Sequence, residues 1–302
     1  FCTHAGNLAP DFKNANYWKF NFLVRLGNPF TNKIICCSKY IENSIIKNFG
    51  ITQSKTTCIY NSYDEKKFKF IKNFNLKKKI ENNEKINIGM VGRLEAHKDQ
   101  KSLIKAIRIL KSRNINANLF LVGDGLLYPV LLNITKKLSL TKQVKFLGAR
   151  NDVEKLLNKF DIFVFSTTKD EGFGIAMVEA MGKGLPIIAS DVGACREILQ
   201  DGKYGTLVTP NSDTAIANSI ENILLNIDEE IKKAEKEKKY QSAIRAEELR
   251  GRAGGMYVNQ TITKTITADI EQDKKTIERI EGFKKNLKQL NSNHPAMKDK
   301  KD

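Results

Sequence analysis

Lys169 to Gly193 read KDEGFGIAMVEAMGKGLPIIASDVG. The stretch divides into a Gly-Phe-Gly turn, an apolar helix FGIAMVEAMGKG ending in glycine, and a short strand PIIAS. Two carboxylates stand out. Glu171 precedes the turn, and Glu179 follows eight residues later inside the apolar run. An apolar run resists a lone charge unless that charge has a partner or a ligand, so Glu179 marks the helix as more than scaffold.

Outward from this stretch the chain alternates regularly. INIGMVGRL reads as a strand and turn, and DQKSLIKAIRILKSR as a helix with Leu103, Ile104, Ile107 and Leu110 on one face. ANLFLVGDG is a second strand, and LYPVLLNITKKLSL a helix that tolerates Pro129 near its first turn. QVKFLGA, DVEKLLNKF and DIFVFS continue the pattern up to the opening stretch; ACREILQDG and YGTLVT close it. Nearly continuous apolar strands alternating with helices predict an α/β, doubly wound parallel sheet covered on both faces, over residues 86–225. Ligands of such sheets bind beyond the carboxyl ends of the strands. The turns GRLEAHKD, GDG, GARND and TTKDEGFG all follow strands, so they gather on one rim.

Residues 1–75 hold KIICCS, KYIENSIIKNFG and TTCIYNS, a strand, a helix and a strand, which read as part of another α/β domain. NFNLKKKIENNEK reads as a polar linker. Residues 228–302 change to charged helical sequence with an interrupted apolar seam, an atypical helical tail. The chain begins with Phe1, as expected of a fragment or a processed product. Five cysteines at 2, 36, 37, 58 and 195, without a Cys-x-x-Cys, argue against a disulfide framework or zinc site and for a reducing compartment. No run of about 18 apolar residues is present to span a bilayer. Net charge is +17, of which +9 falls in residues 1–85. Such a surface suits phosphorylated substrates, anionic lipid or nucleic acid, or is an ordinary solvated face.

Gly92-Arg93-Leu94 with Lys98, then Glu171-Gly172-Phe173-Gly174 and Glu179, then GLPIIASDVGACREI, resemble the retaining glycosyltransferases of family 4 with their Glu-x7-Glu motif. The resemblance is strong over about residues 86–225 and fair over 1–70. It implies the two-domain GT-B type of fold: a complete C-terminal Rossmann-like domain at 86–225, a partial N-terminal, acceptor-side α/β domain at 1–75, and the first half of that domain lying before residue 1. It implies a nucleotide-diphosphate sugar as donor, with Gly92, Arg93, Lys98, Gly172, Phe173, Gly174 and Ile175 at the nucleotide-sugar site. Glu171 and His4 would face the reacting sugar, and Glu179 the ribose. Ala149 and Arg150 would lie by the base.

The physical chemistry agrees. A helix N-terminus with free N–H groups attracts a diphosphate. Arg93 and Lys98 neutralise it, which also improves it as a leaving group. Glu179 lies roughly 7–8 Å along the helix from its start, within reach of a ribose diol. No cofactor and no metal are expected, because these cations and the helix terminus supply the positive charge. The resemblance further implies a glycan or lipid-linked acceptor, bacterial cell-surface polysaccharide synthesis, and a cytoplasmic protein peripheral to an anionic membrane surface.

Each site residue also has a plainer reading. Arg93 and Lys98 serve as loop cations, Glu171 as a helix-start charge, Glu179 as an internally paired carboxylate and His4 as a surface residue. Two other functions stay open: a nucleotide-sugar-binding remnant without turnover, and a nucleic-acid binder. No nucleic-acid-binding motif is present, and no nucleic-acid partner is expected.

Overall fold

Strand order decides where this molecule puts its loops. In the computed structural model, which describes residues 2–5 (backbone only), 22, 24, 26–70, 76–168 and 171–226, six strands form one all-parallel sheet. In chain order these are β4 (Ile86–Val91), β5 (Ala117–Val122), β6 (Val144–Phe146), β7 (Ile162–Phe165), β8 (Ile187–Ser190) and β9 (Thr206–Val208). Their spatial order is β6-β5-β4-β7-β8-β9. The chain therefore builds outward from β4 in one direction, returns across it, and builds outward from β7 in the other. β4 and β7 pair directly, with Ile88 beside Ile162 and Gly89 beside Phe163. Loops leaving the carboxyl ends of β4 and β7 diverge to opposite faces, which opens a crevice at that switch point.

The expected doubly wound α/β architecture is thus present. β7 and β8 are buried along their whole length, as strands covered on both faces must be. Helix α3 (Gln100–Ser112) buries Leu103, Ile104, Ile107 and Leu110, and its Asp99 N-cap accepts from Ser102 N–H at 3.3 Å. α4 (Tyr128–Lys137) starts with proline in its first turn, α5 spans Val153–Leu157, and α6 spans Ile175–Gly182. α7 is Gly193–Ile198. α8 (Asp213–Leu225), capped by Ser212, packs Ile216, Ala217, Ile220 and Ile223 into the core; its periodicity extends the helical series past YGTLVT.

Earlier in the chain, β1 (Cys2–Ala5), β2 (Lys33–Cys36) and β3 (Thr56–Cys58) form a second, three-stranded parallel sheet in that order. Helix α1 (Lys39–Phe49) follows β2 and stops at Gly50, whose φ of 65° suits a residue without Cβ. One apolar cluster joins the two sheets: Ile34, Ile41, Ile45 and Phe49 share it with Phe163, Phe165, Met177 and Met181. The chain divides into two compact units, residues 1–251 and 252–302, and every described residue belongs to the first. The expected tail at 228–302 lies outside the described residues. No helix among the described residues is long and apolar enough to cross a membrane.

The polar linker is corrected in part. Residues 76–81 form a helix, α2 (Leu76–Glu81), rather than an irregular connection. Leu76 is fully buried and Ile80 packs on the same core, four residues apart on one helical face. The lysines obscured that pattern, and one of them has a structural partner. Lys79 Nζ donates to both carboxylate oxygens of Asp161 at 2.8 Å, and the same carboxylate accepts from Asn87 N–H at 2.7 Å. The staple pins α2 beneath the amino ends of β4 and β7. Asp161→Ala removes a buried charged acceptor from two donors, and a loss of about 2–3 kcal/mol in urea unfolding is expected; an unchanged midpoint would show the staple to be idle.

Candidate active site

Two loops face each other across the switch point. After β4 the chain runs through Gly92 and Arg93 into a short 3-10 turn, Ala96–Lys98. After β7 it runs through Ser166, Thr167 and Thr168 to Glu171 and the start of α6. Hydrogen bonds lace them together. His97 carbonyl accepts from Thr168 N–H and from Thr167 Oγ1, both at 2.8 Å. Ser166 Oγ bonds the carbonyls of Lys98 and Asp99 at 3.2 and 3.1 Å.

This lacing delivers Lys98 to Glu171. Their side chains form an ion pair, with only 13% and 7% of their surfaces exposed. Lys98 Nζ also lies 4.9 Å from the centroid of the Phe165 ring, a cation–π distance. Arg93 is placed differently. Its side chain is 63% exposed, and its guanidinium pairs with Glu95 at 2.9 Å. An exposed pair of this kind is worth no more than about 1 kcal/mol, so it holds Arg93 only weakly. Glu95 also lies 3.4 Å from His97 Nδ1; burial, then the Lys98 charge, lowers the His97 pKa and favours the neutral imidazole.

Glycines allow the turns to stack. A Cβ on Gly123, at φ 135°, would sit 2.1 Å from the Gly92 carbonyl oxygen, and one on Gly125 would sit 2.5 Å from the Leu94 carbonyl oxygen. The GDG turn is therefore specified by backbone approach to the β4 loop, beyond the ordinary turn the sequence suggests.

At the start of α6, Gly174 adopts φ 93°, and a Cβ there would meet the Phe165 ring at 2.9 Å. No side chain caps this helix. Ile175, its first residue, is 47% exposed. Phe173 is buried, its ring 6.2 Å from that of Tyr60, so its side chain belongs to the core. Gly172 directs its carbonyl to Ser38 Oγ at 2.7 Å.

Glu179 stands on the second turn of α6, half-buried. Among the described residues its carboxylate has no hydrogen-bond or ion-pair partner. Burial pushes its pKa up to about 7; Lys67 opposes the shift and Glu154 adds to it. Glu154 lines a cavity of about 490 Å3 with Ala149, Arg150, Asn151 and Asp152, the turn expected beside a base. A second cavity of about 600 Å3 adjoins the 97–168 lacing, lined by His97, Thr168, Asp191 and Asn211 among others. For His4, the backbone lies in β1 beside Ile35, and its side chain lies outside the described residues.

Glu95, His97, Ser38 and Glu197 escaped the sequence reading. Ser38 carried a signal, as a serine opening a helical pattern; the partners of all four are distant in the chain or bend back within a turn.

Residues 71–243 match the family described as glycosyl transferases group 1. The N-acetylgalactosamine-N,N'-diacetylbacillosaminyl-diphospho-undecaprenol 4-alpha-N-acetylgalactosaminyltransferase of Campylobacter jejuni is 28% identical over 228 residues, which are 74% of this chain and 59% of that protein. The O-antigen chain mannosyltransferase RfbU of Salmonella typhimurium is 28% identical over 208 residues, 68% of this chain and 54% of its own length. The chain thus spans little more than half the length of these curated relatives. Among solved structures, Anabaena HepE in complex with UDP and glucose matches with a TM-score of 0.73 at 25% identity, covering 84% of this chain and 70% of that one.

Two outcomes are expected from these geometries. Lys98→Met or Glu171→Leu alone strands a largely buried charge and costs roughly 3–5 kcal/mol, whereas the double variant costs clearly less than the sum; additive losses in chemical denaturation would mean the two groups do not interact. For Glu179, an unfolded pKa of 4.5 and a folded value of about 7 mean that folding favours the protonated form. Stability falls as pH rises through that window and the penalty is complete above it. Glu179→Gln is therefore expected to melt above the wild type at pH 8 and level with it at pH 4.

Proposed function

Since the chain belongs to the glycosyl transferases of group 1, we propose that it transfers a sugar from a nucleotide-diphosphate sugar to a glycan or lipid-linked acceptor, with retention at the anomeric carbon, in bacterial cell-surface polysaccharide synthesis. The observation that carries this reading is the convergence of Lys98, Glu171 and the uncapped start of α6 at the sheet's switch point. Lys98 and the α6 N–H groups supply positive potential for a diphosphate, and Arg93 adds a bidentate cation once it leaves Glu95. As the bond between the sugar's anomeric carbon and the phosphate oxygen breaks, charge grows on that oxygen. The same groups stabilise it there, and no metal is required.

Glu171 sits between Lys98 and the turn, positioned to accept sugar hydroxyls. Glu179, without a partner among the described residues, supplies a carboxylate for the ribose diol. The 149–154 turn takes the base. A bound UDP and glucose in the HepE structure support a UDP-type donor. The Campylobacter relative's name supports a diphospho-undecaprenol-linked acceptor, and that of RfbU an O-antigen chain. With such acceptors the protein works at the cytoplasmic membrane surface, its basic first segment toward anionic lipid.

The test is calorimetry with UDP, GDP, ADP and CMP on the wild type, Arg93→Ala and Glu179→Ala. Saturable binding of one diphosphate is expected, with each variant weakening it about tenfold, the scale of one lost charge-assisted hydrogen bond. A folded protein that binds none of the four rules out the donor site. Binding without sugar release from the matching donor would favour the remnant over the enzyme.

A further inference from the structure

The start of α1 is bound to the donor loop and to α7 by a set of hydrogen bonds that fold formation alone does not demand. Ser38, fully buried, is the N-cap of α1: its Oγ accepts from Ile41 N–H at 3.2 Å. The same hydroxyl donates its proton to the Gly172 carbonyl at 2.7 Å. Cys37 Sγ approaches that carbonyl at 3.6 Å. The two remaining first-turn N–H groups of α1, on Lys39 and Tyr40, both donate to the carboxylate of Glu197 on α7, at 2.7 Å each. A carboxylate at a helix N-terminus is favoured by the helix dipole as well as by these bonds. Tyr40 then lies against Gly193, where a Cβ would come within 2.1 Å of its ring.

Each part of this arrangement has a consequence for the loop. Gly172 lies between Glu171, paired with Lys98, and the turn Phe173-Gly174 that opens α6. A glycine in this place has no side chain to hold it, and its neighbour Gly174 already occupies the left-handed region. Peptide planes at two nearby glycines rotate easily unless something fixes a carbonyl. Ser38 holds that carbonyl at 2.7 Å, while the N–H on the other side of the same plane, that of Phe173, makes only a long 3.4 Å bond to Glu171 Oε1; rotation of the plane would break both and disturb the approach to α6. Glu197 in turn holds Ser38, by anchoring the helix that Ser38 caps.

We propose that Ser38, held in place by Glu197, is a positioning residue for the Gly172–Ile175 turn, fixing the orientation in which the turn presents its backbone to the donor diphosphate. The inference rests on reading that turn as the donor-binding loop. It assigns the three-stranded lobe a part in donor binding, since a residue of its β2–α1 turn sets the geometry of a loop in the six-stranded lobe. Ser38 touches no substrate in this role.

The experiment separates capping from positioning. Ser38→Gly keeps an acceptable N-cap for α1 but loses the hydroxyl donor; Ser38→Thr keeps both. Amide hydrogen exchange on the full chain without ligand, and titration with UDP, GDP, ADP and CMP, are measured for wild type and both variants. In Ser38→Gly, the peptide covering Gly172–Val178 is expected to exchange at least tenfold faster, while peptides of β4, β5 and α1 keep their protection. Affinity for the nucleotide that the wild type binds is expected to fall about threefold to tenfold, and Ser38→Thr to restore both readings. Unchanged exchange of the loop, unchanged affinity in Ser38→Gly, or equal loss of protection in α1 would overturn the assignment. A wild type that binds none of the four nucleotides overturns the donor-site reading itself, and this inference with it; wild-type binding that Ser38→Gly leaves intact overturns the inference alone.

Discussion

The ion pair of Lys98 with Glu171 ties together the two loops on which every other feature of the site depends. Each residue comes from one side of the switch point, and each is nearly buried. Neither charge is tolerable there without the other, because desolvating a single ion costs several kcal/mol. The lacing around them, from Thr167, Thr168 and Ser166 to the backbone of 97–99, holds the loops at the spacing the pair requires. A ligand bearing negative charge enters a site where a cation is already committed to a carboxylate. On the donor reading proposed above, it competes for Lys98 while drawing on the exposed Arg93 and the α6 N–H groups.

Around this pair, the structure distributes its carboxylates by task. Asp161 is saturated by Lys79 and a backbone N–H and serves stability. Glu197 is saturated by two backbone N–H groups and joins the lobes. Glu179 is half-buried and unsatisfied among the described residues, with a pKa pushed up to about 7. An unsatisfied, desolvated carboxylate costs stability, and it sits on the helix that begins the site. That cost is what motivates the ribose-binding role proposed for Glu179.

The lobes are joined both by apolar packing and by directional bonds. A shared core would hold two sheets together while leaving them free to slide. The bonds from Ser38 to Gly172 and from Glu197 to α1 fix the register between them at the point nearest the site.

Much of this was legible in the chain itself. Apolar strands at regular intervals determined the parallel sheet, since only strands covered on both faces read that way. The Gly-Phe-Gly turn before an apolar helix, with Glu171 and Glu179 spaced around it, marked the candidate site, because glycine and charge are both costly there without a use. Arg93 and Lys98 were found as cations on the same rim. Other features depended on tertiary structure. Lysine-rich 76–81 hid a helix whose two anchors, Leu76 and Ile80, needed a core to pack against. Strand order sets the β4 and β7 loops face to face, and the bonds from Ser166 and Thr167 to the backbone of 97–99 then bring Lys98 rather than Arg93 to Glu171, 73 residues away in the chain. The ring of Phe173 turned into the core, where its neighbour Tyr60 comes from the other lobe. Periodicity and local spacing report which face of an element is buried, and so the sequence by itself determined the elements and the rim. Which side chains meet across that rim is a matter of long-range geometry, and only the folded chain decided it.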